Sequence, residues 1–190
     1  MALPPSAARV LRWIGVVGIV AAALVFAAPL IDDAIHVARL LREPAPIALA
    51  IPVEGVTARA LRDTYGAPRG ADRRHEGIDI FARRGTPVIA STRGIVLHTG
   101  TNELGGNVVW VLGPGGDRHY YAHLDRVAEL ARFQRVAPGT VLGYVGTTGN
   151  AAGTPPHLHY GIYRRGTGAI NPFPLLRAAP RDAGSLALGR

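Results

Sequence analysis

Pro155-Pro156-His157-Leu158-His159-Tyr160-Gly161-Ile162-Tyr163 reads as a β-strand carrying two histidines on one face. Side chains alternate along a strand, so His157 and His159 point the same way, roughly 7 Å apart at their Cα atoms. Leu158, Tyr160 and Ile162 fill the opposite face, and the two prolines fit at or before the first strand position. On a helix the same spacing would point the imidazoles apart. Two imidazoles on one strand face can grip one small object, and a metal ion suits them. Taken alone, the pair is equally compatible with a solvated strand face.

Outward from this stretch, the chain from Ile51 has one texture. Short apolar runs recur between glycines: Thr86–Ala90, Gly94–Leu97, Asn107–Leu112, Tyr120–Leu124 and Thr140–Val145. They are rich in β-branched and aromatic residues and bounded by turn chemistry. Gly113-Pro114-Gly115-Gly116-Asp117 reads as the loop of a hairpin. Asp125–Phe133 is the one stretch here with a helical pattern. Strands at this spacing predict a mainly β fold, an antiparallel sandwich or open barrel spanning residues 51–177. The residues from 178 to 190 lose all pattern and are expected to be a disordered tail.

The N-terminal part differs. Arg9 and Arg12 precede an unbroken apolar run, Trp13–Ile31, and Asp32 and Asp33 follow it. That run is about as long as a membrane-spanning helix requires. The charges on its two sides predict a single-pass segment, cytoplasmic N-terminus first, with the rest of the chain outside. Residues 1–31 are therefore expected to be the cytoplasmic N-terminus and a signal anchor in the cell membrane. The competing reading is a cleaved signal peptide, with Val25-Phe26-Ala27 as the cleavage site and a secreted product. Both readings put the remainder on the extracytoplasmic side. Ile35–Arg42 fits a short helical continuation, Pro44 and Pro46 end it, and residues 32–50 read as a linker.

Composition removes several functions. There is no cysteine, so disulfides, thiolate metal sites and cysteine nucleophiles are excluded. There is no lysine either, and all 21 basic residues are arginines. That excludes biotin, lipoate and pyridoxal phosphate linkages, and with them a carrier-domain reading of the strands near Val136–Val145. The net charge of +8 favours anionic partners. The arginines are scattered and poorly interleaved with aromatics, so nucleic acid is not expected among them.

Two further clusters carry chemistry. In Arg74-His75-Glu76-Gly77-Ile78-Asp79-Ile80, a straight strand would hold His75 and Asp79 roughly 13 Å apart, too far to share an ion. The chain is expected to bend between them, with Gly77 supplying the freedom. In Tyr120-Tyr121-Ala122-His123-Leu124, alternation places Tyr121 and His123 on one face and Ala122 and Leu124 toward the core. His119, beside the hairpin loop, is expected to face solvent. Together His75, Asp79, His123, His157 and His159 offer four imidazoles and one carboxylate. Catalytic zinc takes three such ligands and keeps an open position, so two histidines remain for acid–base work.

These stretches resemble the lysostaphin-type zinc metallopeptidases, peptidase family M23, which cut peptide bonds in bacterial peptidoglycan. The family's three motifs appear in order as His75-Glu76-Gly77-Ile78-Asp79, Tyr121-Ala122-His123-Leu124 and His157-Leu158-His159. Asp63-Thr64-Tyr65-Gly66 with Arg69, Arg84-Gly85-Thr86-Pro87-Val88 and Gly146-Thr147-Thr148-Gly149 match as well. The resemblance runs from about Ile51 to Phe173. It implies a β metallopeptidase domain in which His75, Asp79 and His159 ligate zinc and His123 and His157 are the catalytic histidines. It further implies peptidoglycan as substrate and hydrolysis of its peptide cross-links. A non-catalytic relative, acting as a binding or activator module for another wall hydrolase, is the alternative. No repeat, coiled coil or wall-binding module is visible upstream.

Overall fold

The computed structural model describes residues 5–70 and 72–178, with side chains from Trp13 onward. The expected tail, from residue 179, lies outside the described residues, as do the side chains of Arg9 and Arg12. The chain divides into two compact units between Ala38 and Arg39.

The first unit is helical. Helix α1 runs from Pro5 to Arg42. Trp13–Arg42 is long and apolar enough to cross a membrane. Its apolar side chains are exposed all round, from Trp13 and Ile19 to Phe26 and Leu30, and no polar face interrupts them. The helix continues through Asp32 and Asp33, so the first part of the segment read as a linker is helical. It stops before Pro44, whose ring disfavours a helical conformation at Glu43.

The second unit is mainly antiparallel β, the class expected from the strand spacing. A small hairpin comes first, β1 (Pro68–Arg69) with β2 (Arg73–Arg74). Then follow β3 (Ile78–Phe81), β4 (Pro87–Ile89), β5 (Gly94–Asn102), β6 (Gly106–Leu112) and β7 (Arg118–Val127). The chain closes with β8 (Arg135–Val136), β9 (Val141–Val145), β10 (His157–Arg164), β11 (Gly168–Ile170) and a short helix α2 (Phe173–Arg177). The main sheet has the order β11-β10-β7-β6-β5-β8, with β3 added beside β10. β4 pairs with β9, which in turn joins the last residues of β7. One face of the main sheet packs against the β4–β9 layer. Ile78, Ile80, Val109, Val111, Tyr121, Leu158, Tyr160 and Ile162 meet Val88, Leu142 and Val145 there, all buried.

Three expectations change. Asp125–Phe133 is not a helix. Its first residues extend β7, because Leu124, Arg126 and Val127 pair with Val145, Tyr144 and Gly143. Cross-strand bonding overrides a weak local helical pattern. His119 does not face solvent. It is 1% exposed, on the core face of β7 between Val111 and Ile162. Its Nδ1 shares a 2.7 Å hydrogen bond with the Tyr160 hydroxyl, which meets Ser91 Oγ at 2.6 Å. Burial pushes the His119 imidazole down to about 4, so it is neutral in the core. The third change concerns His123.

Candidate metal centre and active site

β10 is the spine of the site. It pairs with β3 on one edge and β7 on the other, so His159 stands opposite both Asp79 and Ala122. His75 lies before β3, where its backbone N–H donates to the Ala67 carbonyl at 2.9 Å and its carbonyl accepts from Gly66 N–H at 2.8 Å. The bend expected between His75 and Asp79 is present, because the strand begins only at Ile78. Gly77 serves it differently from the expectation. Its φ is not in the left-handed region. A Cβ there would instead meet the Tyr160 carbonyl oxygen at 2.4 Å and the His159 ring at 2.9 Å. Glycine is required for close approach.

His75 Nε2 lies 3.1 Å from Asp79 Oδ1 and 2.8 Å from His159 Nδ1, and Asp79 Oδ1 lies 3.4 Å from His159 Nδ1. Donors about 2.1 Å from a tetrahedral ion are about 3.4 Å apart. The triangle has the size and the N/O chemistry of a zinc site, and among the described residues it is the one group of three that could hold an ion. The ligand nitrogen on His75 is defined by its other edge: Nδ1–H donates to the Thr64 carbonyl at 2.8 Å. That bond leaves the Nε2 lone pair for the ion.

Asp79 is 8% exposed. Burial alone would raise its carboxyl, but the His159 and His75 rings beside it and the guanidinium of Arg69 outweigh burial and hold it far below the ordinary range. Arg69 Nη2 donates to Asp79 Oδ2, leaving Oδ1 toward the histidines. The backbone N–H of Asp79 donates to Thr64 Oγ1 at 3.1 Å. Burial likewise pushes His159 down, favouring the neutral imidazole a metal needs.

The two remaining histidines sit beside the triangle. His157 Nε2 is 3.9 Å from Asp79 Oδ1, and its Nδ1–H donates to the Pro155 carbonyl at 2.8 Å. His123 Nδ1–H donates to the Thr148 carbonyl at 2.9 Å. Their ring centroids are 5.0 Å apart. In both, the occupied Nδ1 leaves the lone pair on Nε2. Burial lowers His123 to about 4, so it is a neutral base at physiological pH.

His123 reaches this position by breaking the strand's alternation. Tyr121 and Leu124 both lie in the core, whereas Ala122 lies on the site face with Tyr120. The expected pairing of Tyr121 with His123, and of Ala122 with Leu124, is therefore overturned. His123 adopts φ 62°, rare for a residue with a side chain. The twist moves its imidazole from the core face to the site. The conformation is held at several points. His123 N–H donates to the Gly105 carbonyl at 2.7 Å. Just beyond, Thr148 Oγ1–H and Asn107 Nδ2–H donate to the Leu124 carbonyl at 2.8 and 3.1 Å. Strain that surrounding bonds over-determine is typical of functional positions.

A cleft of about 890 Å³ opens at the site. The β1–β2 hairpin, the Asn102–Gly105 turn, Trp110 and Tyr163 border it, and His75, Asp79, His123 and His159 line it. All five residues selected from the sequence thus gather within one small region. Sequence reasoning gave no role to Arg69, nor to the carbonyls of Thr64, Thr148 and Pro155. Arg69 carried a signal, its place in the Asp63–Arg69 stretch. Backbone carbonyls carry none.

Residues 73–172 match the model of peptidase family M23. The chain belongs to this family. The matched M23 region contains His75, Asp79, His123, His157 and His159, while Thr64 and Arg69 lie just before it. The L-Ala–D-Glu endopeptidase of Bacillus subtilis is 39% identical over 143 residues, covering 70% of this chain and 44% of that protein. The DD-carboxypeptidase/endopeptidase Mpg of Neisseria meningitidis is 37% identical over 108 residues, covering 57% and 24%. The chain thus spans less than half the length of these relatives. The solved catalytic domain of lysostaphin from Staphylococcus simulans superposes with a TM-score of 0.57 at 29% identity, over 64% of this chain and 96% of that one.

Proposed function

We propose that this M23 protein is a zinc-dependent endopeptidase that hydrolyses peptide cross-links of peptidoglycan on the extracytoplasmic side of the membrane, held there by α1. The observation that carries the reading is the triangle of His75 Nε2, Asp79 Oδ1 and His159 Nδ1, with two further imidazoles beside it. His75, Asp79 and His159 would hold the ion. Zinc bound there would supply Lewis acidity and a water acidified toward neutral pH.

The chain's own groups do the rest. His123 and His157 each present a lone pair at Nε2. One accepts the proton of the attacking water and passes it to the amine that leaves as the C–N bond breaks, and the other, carrying a proton taken up from solvent, donates to the oxygen on which negative charge develops. The Thr148 and Pro155 carbonyls hold Nδ1 of both rings, so each keeps its Nε2 turned toward the site. Arg69 helps to keep the Asp79 carboxylate ionised, after His159 and His75, and fixes which oxygen faces the histidines. The location rests on the apolar span of α1 and on where peptidoglycan is found.

The test is digestion of isolated peptidoglycan by the purified full chain, metal-free and zinc-reconstituted, with products read by mass. New amino termini within the peptides of peptidoglycan, formed only with zinc, are expected. Stoichiometric zinc without any cleavage would instead favour the binding or activator module.

A further inference from the structure

The metal ligands occupy one end of a longer row on the same sheet face. From His159 the row passes to Tyr120 on β7 and then to Trp110 on β6. The Tyr120 ring lies 5.9 Å from that of His159, edge-on, and 4.4 Å from that of Trp110. Tyr163 closes over Trp110 at 5.3 Å. Gly161, opposite Tyr120, lets the Glu76 carbonyl and the Tyr163 ring come close, since a Cβ there would meet them at 3.0 and 3.3 Å. Val108 and Ala122 are buried among the three aromatics, which places this second apolar cluster under the cleft and apart from the main core. The proton-transfer chemistry uses none of it.

The rim of the row is polar. The Tyr163 hydroxyl donates to Glu76 Oε2 at 3.0 Å, and Asn102 Nδ2–H donates to the Tyr120 oxygen at 3.2 Å. The Arg118 guanidinium lies 5.9 Å above the Trp110 ring. Glu76 and Asn102 are both exposed, Trp110 and Tyr163 are half-buried, and Tyr120 is buried. An aliphatic peptide side chain would favour an enclosed pocket. An open aromatic shelf with hydrogen-bonding groups at its edge suits a flatter ligand, with one C–H face and a rim of hydroxyls and amides. That is a pyranose ring.

We propose that the Trp110–Tyr120–Tyr163 shelf is a saccharide subsite that takes the N-acetylated sugar of the glycan strand. The inference rests on the endopeptidase reading and moves its cut from the cross-links to the head of the stem peptide. Strand spacing puts β6 about 10 Å from β10. An extended chain covers that distance in about three residues. The stem peptide of peptidoglycan leaves its muramyl sugar through a lactyl group and one L-alanine. A sugar seated on Trp110 therefore brings the bond after that alanine, near the head of the stem, to the metal end of the row. Bonds far along the stem would leave the shelf empty.

Two measurements on the full chain in detergent test this. In the first, zinc-loaded enzyme is given the muramyl stem peptide and the same peptide without sugar. A kcat/KM at least roughly tenfold higher for the sugar-bearing substrate is expected, the size of one good aromatic contact. That ratio should fall toward one in Trp110→Ala and be largely kept in Trp110→Phe. The second measurement needs no hydrolysis. The free disaccharide of the glycan is titrated against metal-free protein by calorimetry, and binding should weaken severalfold in Trp110→Ala and in Tyr163→Ala. Equal hydrolysis of the two peptides, with no disaccharide binding, would overturn the subsite and leave the endopeptidase standing. Disaccharide binding without hydrolysis of either peptide would keep the subsite and sink the endopeptidase.

Discussion

His159 and Asp79 are register partners on adjacent antiparallel strands, and their donor atoms lie 3.4 Å apart. Backbone pairing of β10 with β3 thus brings together two parts of the triangle that are distant in sequence. The pairing is tight because Gly77, just before β3, lets the His159 ring and the Tyr160 carbonyl close in. Gly77→Ala should force them apart. Overpacking of this kind costs about 1–3 kcal/mol. The variant should show a lower Tm and lose zinc on dialysis. Wild-type zinc retention at wild-type Tm would contradict the role given to Gly77.

The left-handed backbone of His123 makes a separate prediction. A side chain at positive φ costs about 1–2 kcal/mol, and glycine avoids the cost. Once the imidazole is gone, His123→Gly should resist urea better than His123→Ala, by about 1 kcal/mol. Both should be slower than wild type by about 10² or more. The reverse order of stability would show that His123 is not strained in solution.

Much of this site is legible in the sequence, and the exceptions have definite causes. Histidines two apart between apolar residues specify a strand face, so His157 and His159 were placeable together. His123 was not, because alternation assumes ordinary φ and nothing in Tyr121-Ala122-His123-Leu124 announces a left-handed residue. His119 looked solvated because it adjoins a loop. Its burial depends on partners more than 40 residues away, Tyr160 above all. Asp125–Phe133 misled because Val127, Leu130 and Ala131 stand at helical spacing, whereas bonding to β9 decides the conformation of its first residues. Gly77 was recognised as necessary for the wrong reason, since its value depends on a strand that arrives from the other end of the domain.

His119 also predicts how stability responds to acid. Unfolded, its imidazole titrates near 6.5, and burial lowers the folded value to about 4. The unfolded state therefore binds more protons between these values, and stability falls as pH drops from about 6.5 to 4. The loss from His119 alone is about 3 kcal/mol, with no further contribution below 4. His123, lowered to about 4 by burial, adds to it in the same window when metal is absent. In urea unfolding of metal-free protein at pH 7 and pH 4.5, His119→Gln should lose visibly less stability than wild type. Equal losses would show that His119 does not titrate this way.

The membrane reading has its own check. A reporter active only outside the cytoplasm, fused after Arg190, should give signal in cells, and the fusion should remain in the membrane fraction. In this reading Trp13–Arg42 supplies the apolar length, and Arg9 and Arg12 before it would set the direction. Activity of a cytoplasmic reporter at the same position would contradict it. Soluble protein beginning near Ala28 would replace the anchor by a cleaved signal.

Zinc content measured beside peptidoglycan hydrolysis, in five alanine variants, tests the central claim most directly. Removing a ligand leaves two protein donors, too few for the usual catalytic site. His75→Ala, Asp79→Ala and His159→Ala should therefore each lose both zinc and activity. His123→Ala and His157→Ala should keep about one zinc per chain while losing roughly 10²-fold or more in rate. Loss of metal from His157→Ala with retention in His159→Ala would reverse the assignment within the pair. Five variants that all keep wild-type zinc and wild-type hydrolysis would contradict the account altogether.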